Sequence, residues 1–337
     1  MHALVAKLIR GERLTRDEAH AVFENVIRGE LSPVEITAGL VALKLRGESP
    51  EEIAGAAAAL LHAARPFPRP EGTLADVVGT GGDGAGTINI STAVALVAAA
   101  AGVPVAKHGN RAVSSRCGAA DLLERLGFPL ELSSAAARRC LDVTGFTFLF
   151  APHYHAGIRH VMPVRKELGV RTIFNILGPL VNPARPRIML VGAYAPALCR
   201  PMAEALRLLG CERGLVVHGA GLDEIAIHGD TQAIEVNRGG LIERQLSVRD
   251  FGAREHPLAD LIGGDAEQNA AALTAVLTGQ GHPAHAAAVA VNAAALLWLA
   301  GRSSSFAEGY DIAANILSSG AAWIRLQQAL AIARAHA

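Results

Sequence analysis

Four stretches of this chain gather polar and charged side chains, with glycines, at spacings that suit anion and metal chemistry. The first runs Gly79-Thr80-Gly81-Gly82-Asp83-Gly84-Ala85-Gly86-Thr87-Ile88-Asn89-Ile90-Ser91-Thr92. Five glycines in its first eight residues let the backbone approach a ligand closely and turn its N–H groups into an anion-binding concavity. A helix expected from about Ser91 adds its free N–H groups and the positive end of its dipole. Asp83, Thr87, Asn89, Ser91 and Thr92 supply polar side chains around it. No GK[ST] follows, so this is not a Walker A loop. No GxGxxG opens the helix, so it is not the dinucleotide fingerprint either.

The second stretch is Lys107-His108-Gly109-Asn110-Arg111-Ala112-Val113-Ser114-Ser115-Arg116, whose cations and hydroxyls suit a polyanion in a pocket. The third is Gly219-Ala220-Gly221-Leu222-Asp223-Glu224. Its adjacent carboxylates repel by about 3 kcal/mol in a partly screened environment and are relieved by a hard cation between them. Mg²⁺ takes one or two carboxylates and completes its shell with substrate phosphates. The fourth runs from His153-Tyr154-His155 through Arg159, His160, Arg165, Arg171 and Asn175 to Gly178-Pro179, where Arg165 can hold a carboxylate bidentately. Taken singly, the first three have a plainer reading, namely a long turn, a solvated basic turn and an exposed acidic turn, and the His153 and His155 pair of the fourth lacks a third ligand for a metal. Together they favour a phosphate and metal site.

The elements that must carry these residues change character along the chain. Residues 1–66 read as helices only, with starts at Asp17-Glu18, Ser32-Pro33 and Ser49-Pro50-Glu51-Glu52. Pro66, Pro68 and Pro70 then form a linker, since no helix interior tolerates them. Strands follow at Leu74–Val78, Val103–Ala106, Phe146–Phe150, Ile188–Ala193 and Gly214–Val217, separated by helices such as Ala119–Leu126 and Pro201–Leu209. That alternation predicts a mostly parallel sheet flanked by helices. Short β segments are expected within 225–246 (AIHG, QAIEV, GLIERQLSV), and the last seventy residues return to helix. In such sheets ligands bind at the carboxyl ends of the strands, where the glycine loop, the basic segment and the acidic pair all fall.

Composition narrows the partners. Over 337 residues, 31 Lys plus Arg balance 31 Asp plus Glu, and no five like charges run together. A nucleic-acid partner is therefore not expected. With 51% hydrophobic residues the chain is globular rather than disordered. Cys117, Cys140, Cys199 and Cys211 form no CxxC and read as reduced, mostly buried thiols. The N-terminus lacks the apolar core of a signal peptide, and the apolar runs Ala93–Ala106 and His282–Ala300 read as internal, so no membrane partner and a cytoplasmic location are expected.

In order and spacing, GTGGD, KHGNR, PVRKELGVRTIFNILGPLVNPA and the Asp223-Glu224 pair resemble the signatures of the anthranilate phosphoribosyltransferases, and LKLRGESPEEIAGAA extends the likeness into the helical N-terminus. The resemblance implies an α/β protein, with a small all-helical domain hinged to a larger domain built on a mostly parallel sheet. The small domain would be 1–66 with an inserted segment 166–186, and the larger one 67–165 and 187–337. It implies transfer of a phosphoribosyl group from 5-phosphoribosyl 1-pyrophosphate to anthranilate, the second step of tryptophan biosynthesis from chorismate, with Mg²⁺, in a homodimer formed through the small domains. Carried over by position, Gly79, Gly82, Asp83, Thr87, Asn89, Ile90, Ser91 and Thr92 would hold the donor. Lys107, His108, Gly109, Asn110, Arg111, Ala112, Val113, Ser114, Ser115 and Ala119 would surround its phosphates. Gly79, Asn110, His155, Arg165 and Gly178 would meet anthranilate, and Ser91, Asp223 and Glu224 the metal. No side-chain base is assigned, because the amine is already a nucleophile; Lys107, Arg111 and magnesium would stabilise the leaving group. The chain departs from the family's usual SGSAD at Cys117-Gly118-Ala119-Ala120-Asp121, from HPAM at His155-Ala156-Gly157-Ile158, and from a common Phe at Ile88. A pyrimidine nucleoside phosphorylase and a non-catalytic nucleic-acid-binding relative share the architecture; KHGNR and the acidic pair disfavour the first, the balanced charge and intact loops the second.

Overall fold

The structure is a computed structural model that describes residues 2–112 and 116–336. The chain opens with four helices: α1 (His2–Ile9), α2 (Arg16–Arg28), α3 (Pro33–Arg46) and α4 (Pro50–Ala63). Thr15, Ser32 and Ser49 each cap a helix and close a capping box with Glu18, Glu35 and Glu52. Glu52 does more than cap. Fully buried, it accepts from Ser49 N and Leu14 N, both at 2.9 Å, and pairs with Arg46. One carboxylate thus ties the start of α4 to the end of α3 and to the α1–α2 connection.

The remainder alternates as expected: β1 (Ala75–Gly79), α5 (Ile90–Ala100), β2 (Val105–Gly109), α6 (Ala119–Arg125), α7 (Ser134–Thr144), β3 (Phe146–Phe150), α8 (Ala151–Tyr154), α9 (Met162–Leu168), α10 (Phe174–Leu177), β4 (Ile188–Gly192), α11 (Cys199–Leu208) and β5 (Arg213–Gly219). The hairpin β6 (Thr231–Asn237) and β7 (Gly240–Leu246) follows, then α12 (Ala266–Leu277), α13 (Pro283–Leu299), α14 (Phe306–Ser318) and α15 (Ala321–Ala335). The seven strands form one sheet in the order β3-β2-β1-β4-β5-β6-β7. The pairs from β3 through β5 are parallel, and β6 and β7 add antiparallel at one edge. One face of the sheet packs under α5 and the C-terminal helices, with α13 buried nearly all round. The other face shares an apolar cluster with α1–α4, α11 and residues Val161 to Val181.

Two expectations are corrected. The second strand does not end at Ala106 but runs to Gly109, so Lys107 and His108 lie inside it. Their polarity hides a strand because each finds a partner in the interior; they are 2% and 3% exposed. Ala226–Gly229 forms no strand. Asn292 on α13 takes both backbone groups of Ile225, at 2.9 and 3.0 Å, and Thr231 Oγ1 accepts from Ala226 N at 3.0 Å. Those side chains occupy the groups that a sheet neighbour would need.

Candidate active site

The chain runs outward from β1 to β2 and β3, then returns to the other side of β1 with β4. The gap between β1 and β4 is therefore the topological switch point of the sheet. Their last residues, Gly79 and Gly192, are register partners there. A Cβ on Gly192 would fall inside the backbone carbonyl of Asp223, and one on Gly79 would strike the Asp223 carboxylate. The two glycines form a floor low enough for the acidic pair to lie across the strand ends.

The glycine loop folds over this floor. Gly81, Gly82, Gly84 and Gly86 all have positive φ, between 65° and 79°, which leaves successive N–H groups free to converge. Gly81 N donates to Asp223 Oδ2 at 2.6 Å, and Asp83 lies against the same carboxylate. Thr87 and Ile88 are pinned by Ile262 and Leu261. Asn89 precedes α5 without capping it: its Nδ2 donates to Cys117 O at 3.2 Å, and its Oδ1 accepts from Asn269 Nδ2 at 2.9 Å. In the first turn of α5, Ile90 is buried, the Ser91 hydroxyl donates to Glu224, and Thr92 Oγ1 is buried without a partner among the described residues.

Burial pushes the carboxyls of the acidic pair up, Asp223 to about 7 and Glu224 to about 8. The next cause is mutual: Asp83 beside Asp223, and Asp223 beside Glu224. Lys107 is the cation among them. Its Nζ donates to Val77 O at 2.7 Å; burial pulls its pKa down, and Asp76, Glu224 and Asp223 pull it back. An all-oxygen set with more carboxylate than cation fits a hard divalent ion. Among the described residues no three His, Cys, Asp or Glu side chains close around a point, so substrate oxygens would complete such a shell.

The structure separates some of the expected phosphate ligands. Arg111 turns outward, with both terminal nitrogens on Glu124 at 2.6 and 2.8 Å and a third bond to Asp121 at 3.1 Å. Asn110 is exposed and accepts from Arg111 N. Ala112 N and Gly118 N both donate to Asp121 Oδ2, which places Ala119 at the start of α6. Val113, Ser114 and Ser115 lie outside the described residues.

His108, expected among the phosphate ligands, instead packs edge to face against His155, with centroids 5.3 Å apart. Burial lowers both pKa values; His155 Nε2 meets Val181 O at 2.8 Å, and the His108 ring contacts the Gly178 backbone. Gly178 itself borders open space. Arg165 lies over the Phe174 ring at 5.4 Å and makes no ion pair among the described residues. Burial lowers its pKa, so an arriving carboxylate would meet a poorly hydrated guanidinium.

Three supporting residues escaped the sequence reading. Asp76, fully buried, is pushed up to about 6 by burial and drawn back by Lys107 and Asn182. Asn182 Nδ2 bridges Asp76 Oδ2 at 2.8 Å and Ala106 O at 2.7 Å. Asn269 holds Asn89. An aspartate in the apolar run Leu74–Val78 was the one available signal. Arg171 has a contact its motif did not suggest: it donates to Gly82 O and stacks on Tyr194 at 4.1 Å.

Comparison with known proteins agrees with this geometry. Residues 2–64 match the model of the glycosyl transferase family helical bundle domain, and 71–323 that of the same family's a/b domain. The anthranilate phosphoribosyltransferase of Aeromonas salmonicida is 53% identical over 96% of each chain, and that of Vibrio cholerae 52% over 97% of this chain and 98% of its own. The crystal structure of the Thermus thermophilus anthranilate phosphoribosyltransferase superposes with a TM-score of 0.94 at 47% identity, covering 98% of this chain and 99% of that one. The Saccharomyces cerevisiae enzyme, solved in complex with PRPP and Mg, gives 0.90 at 29% identity, covering 99% and 97%. The chain belongs to the anthranilate phosphoribosyltransferase family of the glycosyl transferases.

Proposed function

We propose that this chain joins anthranilate to the ribose of 5-phosphoribosyl 1-pyrophosphate, giving N-(5-phosphoribosyl)anthranilate and pyrophosphate, in the second step of tryptophan biosynthesis from chorismate. The observation that carries the reading is the acidic pair laid across the Gly79–Gly192 floor, beside the glycine loop and Lys107. The N–H groups of Gly82 and Asp83, which have no partner among the described residues, and those at the start of α5 would receive the donor's phosphates, with Gly79, Thr87, Asn89, Ile90, Ser91 and Thr92 around them. The nitrogen lone pair of anthranilate forms the new bond to ribose C1. The C1–O bond breaks with its electron pair going to pyrophosphate, and the nitrogen then releases a proton.

Lys107 meets the charge that gathers on the leaving group, since Arg111 is already neutralised by Glu124 and Asp121. Asp76 keeps Lys107 charged despite its burial. Asp223, Glu224 and the Ser91 hydroxyl would hold Mg²⁺, which supplies further neutralisation of pyrophosphate when bound. Arg165 takes the carboxylate of anthranilate, while Asn110, His155 and Gly178 border its ring. Because barrier lowering comes from placed charge, no general base is required.

The same reading assigns 1–66 with 166–186 to a small helical domain hinged on the rest. The shared apolar packing of α1–α4 with Ile173, Phe174, Ile176, Leu177 and Leu180 supports it. Ile9, Val34 and Leu45, exposed on α1 and α3, supply an apolar face for a homodimer through that domain. Among the described residues no helix is long and apolar enough to cross a membrane, and the reading places the enzyme in the cytoplasm, with neither membrane nor nucleic acid as partner. Anthranilate fluorescence tests the function directly. Its loss should require the donor and Mg²⁺ and stop with EDTA; folded protein that leaves the signal unchanged would overturn the assignment.

A further inference from the structure

A second cavity lies at the opposite end of the sheet. It has a volume of about 440 Å³ and opens between the helical lobe and α11, at the starts of β4 and β5. The five residues of β4 at about 3.3 Å each separate it from the Gly192 end by roughly 15 Å. Leu61 of α4, Leu180, and Leu206 and Leu209 at the end of α11 line its apolar part. Arg16, Arg69 and Arg185 line it as well, and none of them makes an ion pair among the described residues.

Elsewhere in the chain some arginines are neutralised by a carboxylate and others, such as Arg165 and Arg171, are not. Arg46, Arg111, Arg138, Arg200 and Arg244 all have a carboxylate partner. Arg187, which also borders the cavity, is neutralised by Glu212 at 2.6 Å. The three uncompensated guanidiniums come from separate segments: the first turn of α2, the proline-rich connection after α4, and the Asn182–Arg187 connection into β4. Arg185 holds a left-handed backbone at φ 48°, which among the described non-glycine residues only Ala220 shares. Among the described residues its side chain bonds only Leu61 O, at 3.4 Å. Like charges gathered on a concave apolar surface raise a positive potential that an anion lowers. A cavity of this size suits a small organic molecule, and its apolar walls favour a body that inorganic phosphate lacks.

We infer that this cavity is a second binding site, for an organic anion that carries a carboxylate or phosphate on a flat apolar body, and that its occupant braces the helical lobe against the sheet. Leu61 and Arg16 belong to one side, Leu206 and Leu209 to the other, and both connecting segments contribute a guanidinium. A ligand touching all of them resists any change in the angle between the two sides, so binding lowers turnover without competing for the active site. The transferase reading is not needed for the binding itself, which calorimetry measures directly.

The test titrates 1-naphthoate and phenyl phosphate, separately, into the full chain held in saturating 5-phosphoribosyl 1-pyrophosphate and Mg²⁺, without anthranilate, and into its variants, with sodium phosphate as a third arm. One site should fill with at least one of the two organic anions, and inorganic phosphate should bind at least ten-fold more weakly. Arg69→Ala with Arg185→Ala should weaken binding at least ten-fold, and Leu209→Trp should fill the cavity and do the same. Because the two arginines are exposed, their removal leaves the fold intact, which circular dichroism checks. Turnover at saturating substrates should fall several-fold with the probe in the wild type and stay constant in the arginine variant. Absence of binding, equal binding by the variants, or inorganic phosphate binding as tightly would overturn the site. Unchanged turnover with the probe bound would overturn the bracing.

Discussion

The glycine floor makes a severe demand that a single methyl group tests. In Gly192→Ala, the added Cβ overlaps the carbonyl oxygen and carbon of Asp223, both backbone atoms, whereas Cβ contacts in proteins essentially never fall below 3.0 Å. No rotamer change relieves this. Asp223 must rise from the strand ends by more than about 1 Å, since attraction turns to steep repulsion inside normal contact. A displacement of that size at a reacting centre costs about 10²-fold, or about 2.7 kcal/mol of barrier. Overpacking adds about 1–3 kcal/mol of lost stability, which leaves a folded protein. The expected result is kcat/KM lowered about 100-fold, with a higher Mg²⁺ concentration at half-saturation. Gly79→Ala should do less, because its Cβ meets the Asp223 carboxylate, which can turn. The control is Gly39→Ala in α3, whose Cβ would sit 3.7 Å from Leu8 Cδ1 and whose helix gains about 0.5–1 kcal/mol. The assay follows anthranilate fluorescence across a Mg²⁺ titration, beside thermal melting. A Gly192→Ala enzyme that keeps wild-type turnover and Mg²⁺ dependence would refute the placement of Asp223 as a metal ligand.

Other perturbations separate the remaining roles. Asp223→Asn with Glu224→Gln should abolish turnover while the melting temperature of the metal-free protein holds or rises, since two poorly compensated carboxylates are gone; full activity at limiting Mg²⁺ would count against the pair. Arg165→Ala should raise the KM for anthranilate more than that for the donor, and equal increases would sink the acceptor assignment. The buried His108 and His155 have lowered pKa values, so the unfolded chain takes up protons first as pH falls below about 6.5. Their stabilising effect is intact above that value and lost on acidification, at up to about 1.4 kcal/mol per pH unit per histidine. His108→Gln should flatten the decline of melting temperature between pH 6.5 and 5; an unchanged slope would show that other groups govern it.

Local signals were legible in the sequence. The caps at Ser32 and Ser49 and the alternation of strands and helices depend on residues within a few positions of one another, and these appear where expected. The glycine loop and the acidic pair were also legible, because each is a contiguous motif. Partnerships across the chain were not. Asn182 meets Asp76 across 106 positions and Asn269 meets Asn89 across 180, so nothing near either residue marks it. Arg111 looked like a phosphate ligand because its motif is basic, yet Glu124, one turn into α6, engages it. Lys107 and His108 looked like loop residues because charge normally ends a strand, and only their buried partners reveal otherwise.

The extension of β2 through Lys107 and His108 carries a consequence for how the gene can change. Successive strand residues point to opposite faces, so one short segment sends an ammonium to the carboxylates and an imidazole to His155 and Gly178. A single-residue insertion or deletion between Val103 and Val105 would slip the strand by one place and exchange the two. The carboxylates and His155 would then each face the wrong group at once, although composition and hydrophobicity would hardly alter. Point substitutions along β2 can therefore be graded in their effects, while a change of its length is all or nothing. A library of one-codon insertions should record that difference as a gap in surviving variants at this strand, with tolerance returning in the exposed turn between β6 and β7.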